Sequence, residues 1–152
     1  KKYAELYINE QMNLTVNGPA KIRNSLSKLG ISDEVITFYL AKLEKNLLRE
    51  RINKYVLKKV RLNHKFSKAK LREKMVYELS NLGYENGDIY EVLDNIVFEE
   101  PDNLIAKEYE KYIMKLSKKY CGYDLEARVI SKLLSKGFAY DEVKEVIANN
   151  RD

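Results

Sequence analysis

The chain has no tryptophan, one cysteine, one histidine and two prolines among its 152 residues. A lone cysteine, Cys121, makes no internal disulfide and suits a reducing cytosol, so a cytoplasmic protein is expected. A single histidine, His64, without clustered cysteines leaves no metal-ligand spacing, and neither a metal nor a cofactor is expected. No apolar run approaches the roughly 20 residues that span a bilayer, and no signal-peptide core is present, so no membrane partner is expected. A Walker loop, a dinucleotide fingerprint and a serine-nucleophile elbow are all missing, and Cys121 has no base at a recognisable spacing. An enzyme is therefore the least expected class. Only six glycines, in a chain 45% hydrophobic and 34% charged, also exclude a disordered tail.

What is there is a period. Gly30, Gly83 and Gly137 stand 53 and 54 residues apart, and each centres the same apolar pattern. Leu26, Leu79 and Leu133 lie four residues before, with Ile22, Met75 and Val129 four earlier still. Ile31, Tyr84 and Phe138 follow at once; Ile36, Ile89 and Val143, then Leu40, Leu93 and Ile147, complete the set. Such self-similarity marks tandem supersecondary units. Each glycine reads as a helix C-terminus, because glycine alone takes the left-handed position there without a Cβ penalty and the next apolar residue packs back on the last turn. Asn17-Gly18-Pro19 starts a helix over about 18–29, and Ser32-Asp33-Glu34 starts another over about 33–45. Asp88, and Asp141 with Glu142, play the same part in the later units.

Longer amphipathic stretches separate these pairs: Leu48, Ile52, Tyr55, Val56 and Leu62, then Leu104, Ile105, Tyr109, Tyr112, Ile113 and Leu116, with Tyr3, Tyr7 and Ile8 as part of a first. No alternating strand pattern competes. The expected fold is all-α, built of tandem three-helix repeats at 1–45, 46–98 and 99–152 in an elongated, curved array, with Pro101-Asp102 at the last joint. In such an array an extended surface, rather than a pocket, does the recognising.

The net charge of +5 is segregated. Residues 54–74 carry nine basic side chains against Glu73 alone, whereas residues 75–110 carry ten carboxylates against Lys107. Lys58, Lys59, Arg61, Lys65, Lys68, Lys70 and Arg72 run from the end of one helix through a loop into the next, where they can follow a phosphate backbone. Lys21 and Arg23, with Lys28, form a weaker second group. Mostly lysine implies contact with single- or double-stranded DNA without sequence preference, since base readout favours bidentate Arg, Asn or Gln. The plainer alternative is that these charges solvate helix faces. The acidic residues Glu85, Asp88, Glu91, Asp94, Glu99 and Glu100 read best as solvated, dipole-favoured carboxylates. Most of the twelve tyrosines fall on apolar stripes and read as core; Tyr120 and Tyr123 are the better candidates for exposed base stacking.

Tyr3-Ala4, a spacer, then Gly18-Pro19, Ile22, Leu26, Gly30-Ile31, Val35-Ile36 and Leu40 resemble the core repeat of the RecX regulatory proteins. Leu71, Met75, Leu79, Gly83-Tyr84 and Ile89 look like a later repeat, as do Leu125, Val129, Leu133, Gly137-Phe138 and Val143. The second unit departs in having Leu71-Arg72 where the first has Gly18-Pro19, so the units are not expected to bind alike. The family's first repeat is not found, and the chain is expected to be part of a longer protein holding the later repeats. The resemblance implies a non-enzymatic monomer that binds the RecA recombinase–DNA filament and restrains its assembly and activity in recombination, DNA repair and the SOS response. The competing reading is a helical-repeat adaptor that joins proteins without touching DNA. A sequence-specific helix-turn-helix repressor is disfavoured, because 33–45 is acidic at its start and then apolar.

Overall fold

The computed structural model describes residues 2–150. Lys1, Arg151 and Asp152, which open the first expected repeat and close the third, lie outside them. The described residues form nine α-helices and no strand: α1 (Lys2–Leu14), α2 (Pro19–Lys28), α3 (Asp33–Leu40), α4 (Lys45–Leu62), α5 (Lys68–Asn81), α6 (Asn86–Leu93), α7 (Leu104–Leu116), α8 (Gly122–Ser135) and α9 (Tyr140–Asn149). The all-α expectation holds.

Each periodic glycine ends a helix in the left-handed conformation, with φ of 87° at Gly30, 95° at Gly83 and 96° at Gly137. The amides of Ile31, Tyr84 and Phe138 donate back to the carbonyls of Leu26, Leu79 and Leu133 at 3.2, 3.2 and 3.4 Å. That six-to-one bond pins the following apolar side chain over the last turn. At α3 the Ser32 hydroxyl accepts from the Val35 amide at 3.4 Å, and at α9 Glu142 reaches back to the Ala139 amide at 3.1 Å.

The helix expected over 33–45 stops at Leu40. Lys42 and Leu43 donate three residues back, to Tyr39 and Leu40, which tightens the turn and ends the α-helical ladder. The reversal lays Leu43 against the core that holds Ile36, a burial that a straight continuation would forgo. Two apolar stripes are also rotated from expectation. On α1 the buried pair is Ala4 and Ile8, leaving Tyr3 exposed, and Leu62 is exposed at the end of α4. On α7 the deepest face is Leu104, Glu108 and Tyr112, with Ile105, Tyr109 and Ile113 at its flank.

The chain divides into two compact units, one of Lys1–Lys59 with Lys74–Ile96, the other of Val60–Glu73 with Val97–Asp152. In the first, α1, α2 and α3 pack on one another around Ala4, Ile8, Ile22, Leu26 and Ile36. In the second, α7, α8 and α9 do so around Leu104, Tyr112, Val129, Leu133, Phe138, Val143, Val146 and Ile147.

Each unit also holds an end-on helix joint that the periodicity does not reveal. In the first, Gly18 and Ala20 at the start of α2 donate to the carbonyls of Leu82 and Gly83 at the end of α5, at 2.6 and 2.9 Å. In the second, the Ser67 hydroxyl at the start of α5 donates to the Lys136 carbonyl at the end of α8 at 3.1 Å, while its oxygen accepts from the Lys70 amide at 3.1 Å. Donor-rich helix starts thus satisfy acceptor-rich helix ends. The structural counterparts of Gly18 are therefore Ser67 and Cys121, each sixteen residues before its glycine, and α5 and α8 begin one turn earlier than Leu71 and Leu125 suggest.

Candidate nucleic-acid interface

The basic corner is built from local rules. Leu48, Ile52 and Val56 turn one face of α4 inward, which leaves Lys54, Lys58 and Arg61 together on an outward stripe at helical spacing. Past Leu62, Asn63 shapes the loop: its amide donates to the Phe66 carbonyl at 2.8 Å, and its side-chain oxygen accepts from the Phe66 amide at 3.0 Å. Ser67 then starts α5 with Lys68-Ala69-Lys70, lysines where the dipole favours carboxylates. The first amides of that start are taken, Lys68's by Glu100 and Lys70's by the Ser67 hydroxyl, so what it offers an anion is the exposed Lys68 side chain.

The nine candidate residues differ in what they have left to offer. Lys58, Arg61, Lys65, Lys68 and Lys21 are exposed, with the Lys65 ammonium 5.1 Å from the Phe66 ring centroid. Lys59 lies 3.7 Å from Glu78 and over the Tyr55 ring. Lys70 pairs with Glu73 at 3.6 Å, and Arg72 is half-buried. Arg23 is committed to α3, 2.7 Å from Asp33 and 3.1 Å from the Thr37 hydroxyl. In the first unit the structure leaves Lys21 and Lys58 open; in the second it leaves Arg61, Lys65 and Lys68.

Of the acidic residues, Glu85, Glu91, Asp94 and Glu99 are exposed, while Asp88 and Glu100 meet partners. Asp88, buried in the first turn of α6, accepts from Arg49 at 3.0 Å, with Lys45 at 3.9 Å. Glu100 accepts from the Lys68 amide at 3.4 Å. An open cleft of about 340 Å³ in the first unit is lined by Arg23, Thr37, Lys45, Glu85 and Asp88 among others; within it Lys45 stands 3.9 Å from Asp88, while Arg23 turns to Asp33. Among the described residues no group of three or more potential ligands could hold a metal, and no helix is long and apolar enough to cross a membrane. His64 is exposed beside the Leu62 carbonyl, and Cys121 is exposed. Of the two candidate stacking rings, Tyr123 is 87% exposed, while Tyr120 lies 3.8 Å beneath the Arg128 guanidinium.

Tyr55, behind the basic stripe, donates to Glu78 at 2.6 Å. Burial, reinforced by that carboxylate, raises its hydroxyl far above the ordinary phenol value. Burial likewise raises Tyr84, against the opposing pull of Arg51, and Tyr112, with Glu108 adding to the rise. A raised phenol pKa means the folded state holds its proton longer than the unfolded chain. The associated stability is present below about pH 10, the ordinary phenol value, and is lost as the pH rises above it. Tyr55→Phe is expected to flatten that alkaline slope, read from urea unfolding at pH 9 and pH 11; an unchanged slope would show that Tyr55 titrates normally.

Sequence reasoning missed Arg49, Arg51 and Glu108. Arg51 donates to the carbonyls of Met12, Thr15 and Asn17 at 2.6, 2.8 and 3.1 Å. Glu108 is buried with Lys136 and Lys111 at 3.8 and 4.0 Å. The one available signal was a charged residue set on or beside an apolar stripe, which names no partner.

The fold defines an all-helical, repeat-type protein with exposed basic side chains at the end of α4, in the following loop and at the start of α5. No family model matches the chain, and no solved structure matches it. Its sequence is similar to the regulatory protein RecX of several bacteria. The protein of Streptococcus agalactiae serotype III is 29% identical over 97% of this chain and 58% of its own length. That of Staphylococcus haemolyticus is 31% identical over 93% of this chain and 54% of its own, and that of Listeria monocytogenes serotype 4b is 27% identical over 98% and 56%. The chain is thus a relative of the RecX regulatory proteins and spans a little over half the length of the relatives it matches.

Proposed function

We propose that the protein acts as a RecX-type regulator that binds the RecA recombinase–DNA filament, without catalysis, and restrains its assembly and activity in recombination, DNA repair and the SOS response. The observation that carries this reading is the similarity to regulatory proteins RecX along nearly the whole chain. In this proposal the repeats 1–45, 46–98 and 99–152 are the functional units of a cytoplasmic monomer. Lys58, Lys59, Arg61, Lys65, Lys68, Lys70 and Arg72, with Lys21 and Arg23, meet DNA phosphates in either strand state. The exposed lysines support sequence-indifferent contact through counterion release. Sub-stoichiometric protein is expected to slow the DNA-dependent ATP hydrolysis of RecA. Hydrolysis and strand exchange unchanged across a wide titration would defeat the proposal.

The acid partners of Arg23, Lys59 and Lys70 favour a second reading, an adaptor that joins proteins and leaves DNA alone. Titrating DNA at two salt concentrations separates the two. Replacing Lys58, Lys59, Lys65 and Lys68 by Glu is expected to reduce the salt slope by about 0.9 for each lost duplex phosphate contact and to abolish recombinase inhibition. A slope near zero in the parent protein favours the adaptor.

A further inference from the structure

Among the described residues of the second unit, Glu108 is the only buried carboxylate. It stands between Leu104 and Tyr112 on the deepest face of α7, where an apolar side chain would pack without the cost of desolvating a charge. Its Oε1 oxygen is shut off from solvent, and no hydrogen-bond donor among the described residues reaches it. What answers it is the Lys136 ammonium, 3.8 Å away. Lys111, 4.0 Å from the other oxygen, is exposed.

Lys136 in turn grips the basic loop twice. Its carbonyl, at the end of α8, accepts from the Ser67 hydroxyl at 3.1 Å. The fit there is tight, since a Cβ on Gly137 would stand 2.4 Å from the Ser67 oxygen and 3.0 Å from the Lys70 amide nitrogen. The Lys136 side chain, 19% exposed, lays its ammonium 5.1 Å from the Phe66 ring centroid. The Lys65 ammonium stands at the same 5.1 Å from that ring. Two cations sharing one ring repel each other, and a carboxylate beside one of them relieves the repulsion. Glu108 is that carboxylate.

We infer that Glu108 is a positioning residue for the basic corner: through Lys136 it fixes Phe66, and with it the loop that presents Lys65 and Lys68 to a polyanion. The inference rests on reading that corner as a contact for DNA phosphates, and it reverses the sign of a simple electrostatic expectation. Deleting a carboxylate raises the net charge and by charge alone favours a polyanion. Deleting this one releases Lys136, frees the loop and weakens the contact. A buried pair that served packing only would give the first sign or no change.

The test compares the full chain with Glu108→Gln, which keeps the shape, and with Glu110→Gln, which removes an exposed carboxylate from the same helix. Binding of oligothymidine, read by fluorescence anisotropy, is expected to weaken about 3-fold or more in Glu108→Gln and to hold or strengthen in Glu110→Gln. Affinity in Glu108→Gln equal to or above the parent's overturns the inference. Should that variant fail to fold, Phe66→Leu decides, because it leaves the buried pair in place; a similar loss is expected, and parental affinity overturns the inference. Hydrogen exchange separates this failure from a failure of the DNA reading. The Lys70 amide, bonded to the Ser67 oxygen, is expected to exchange faster in both variants while Val143 and Ile147, buried on α9, keep their parental rates. A parent that binds no DNA defeats the DNA reading alone. Unchanged exchange at Lys70, or equal quickening along α9, overturns the inference whatever the DNA does.

Discussion

Gly83→Ala is expected to destabilise the protein by about 4 kcal/mol and lower its melting temperature by about 10 °C. Two independent costs add. A side chain at φ 95° occupies the left-handed region, at about 1–2 kcal/mol. The new Cβ would also stand 2.4 Å from the Lys21 nitrogen and 2.9 Å from its Cβ, so α2 must retreat and give up its bonds to the Leu82 and Gly83 carbonyls. Two sister variants separate the costs. Gly30→Ala has the same backbone with open space around it and is expected to cost only about 1 kcal/mol. Gly18→Ala has an ordinary φ of −95° but a Cβ 2.7 Å from the Gly83 carbonyl carbon, so its cost is steric alone. Urea denaturation of the three variants decides the matter: if Gly83→Ala and Gly30→Ala lose the same stability, the helix joint is not a close contact.

The second large effect is expected at Arg51. Its guanidinium gathers three carbonyls of the segment between α1 and α2 and takes a 3.3 Å contact with the Tyr84 hydroxyl, which itself donates to the Val16 carbonyl at 2.7 Å. One planar fork thereby ties residues 12–17, the approach to Gly18, to α4 and to the residue just past the Gly83 turn. Arg51→Ala is expected to cost about 3 kcal/mol, because several charge-assisted bonds go together and half-buried carbonyls lose their partner. Arg51→Lys recovers only part, since a point ammonium cannot reproduce the fork. Arg51 also holds the Tyr84 pKa down against burial, so its loss is expected to raise that pKa further. Hydrogen exchange at Gly18 and Ala20 should quicken in Arg51→Ala; protection equal to the parent's would mean the clamp does not position α2.

How far the sequence could be read depended on the range of each interaction. Leu26, Gly30 and Ile31 lie within one helix end, and the bond that closes the turn spans five residues. The three glycine turns and most of the buried set were legible for that reason. The end of α3 at Leu40 was not, because nothing between Ala41 and Glu44 breaks a helix by propensity; the turn forms because Leu43 reaches the core. Similarly, Leu71-Arg72 stood in for Gly18-Pro19 by counting back from the glycine, whereas Ser67 holds that place in space because α5 is a turn longer. For the basic residues, composition located the charge but not its commitments: Lys70 was one cation among nine until its backbone was found against Gly137.

By itself the sequence determined an all-helical chain, its glycine-closed turns, the basic corner and the kinship with RecX regulatory proteins, all properties of residues near one another or of overall pattern. Tertiary structure alone decided which helix start meets which helix end, that Arg51 binds carbonyls up to 39 positions away, and which lysines remain open to solvent. Side-chain spacing encodes the face a residue takes on its own helix. The identity of what that face meets depends on packing between segments distant in the chain, and no local pattern carries it.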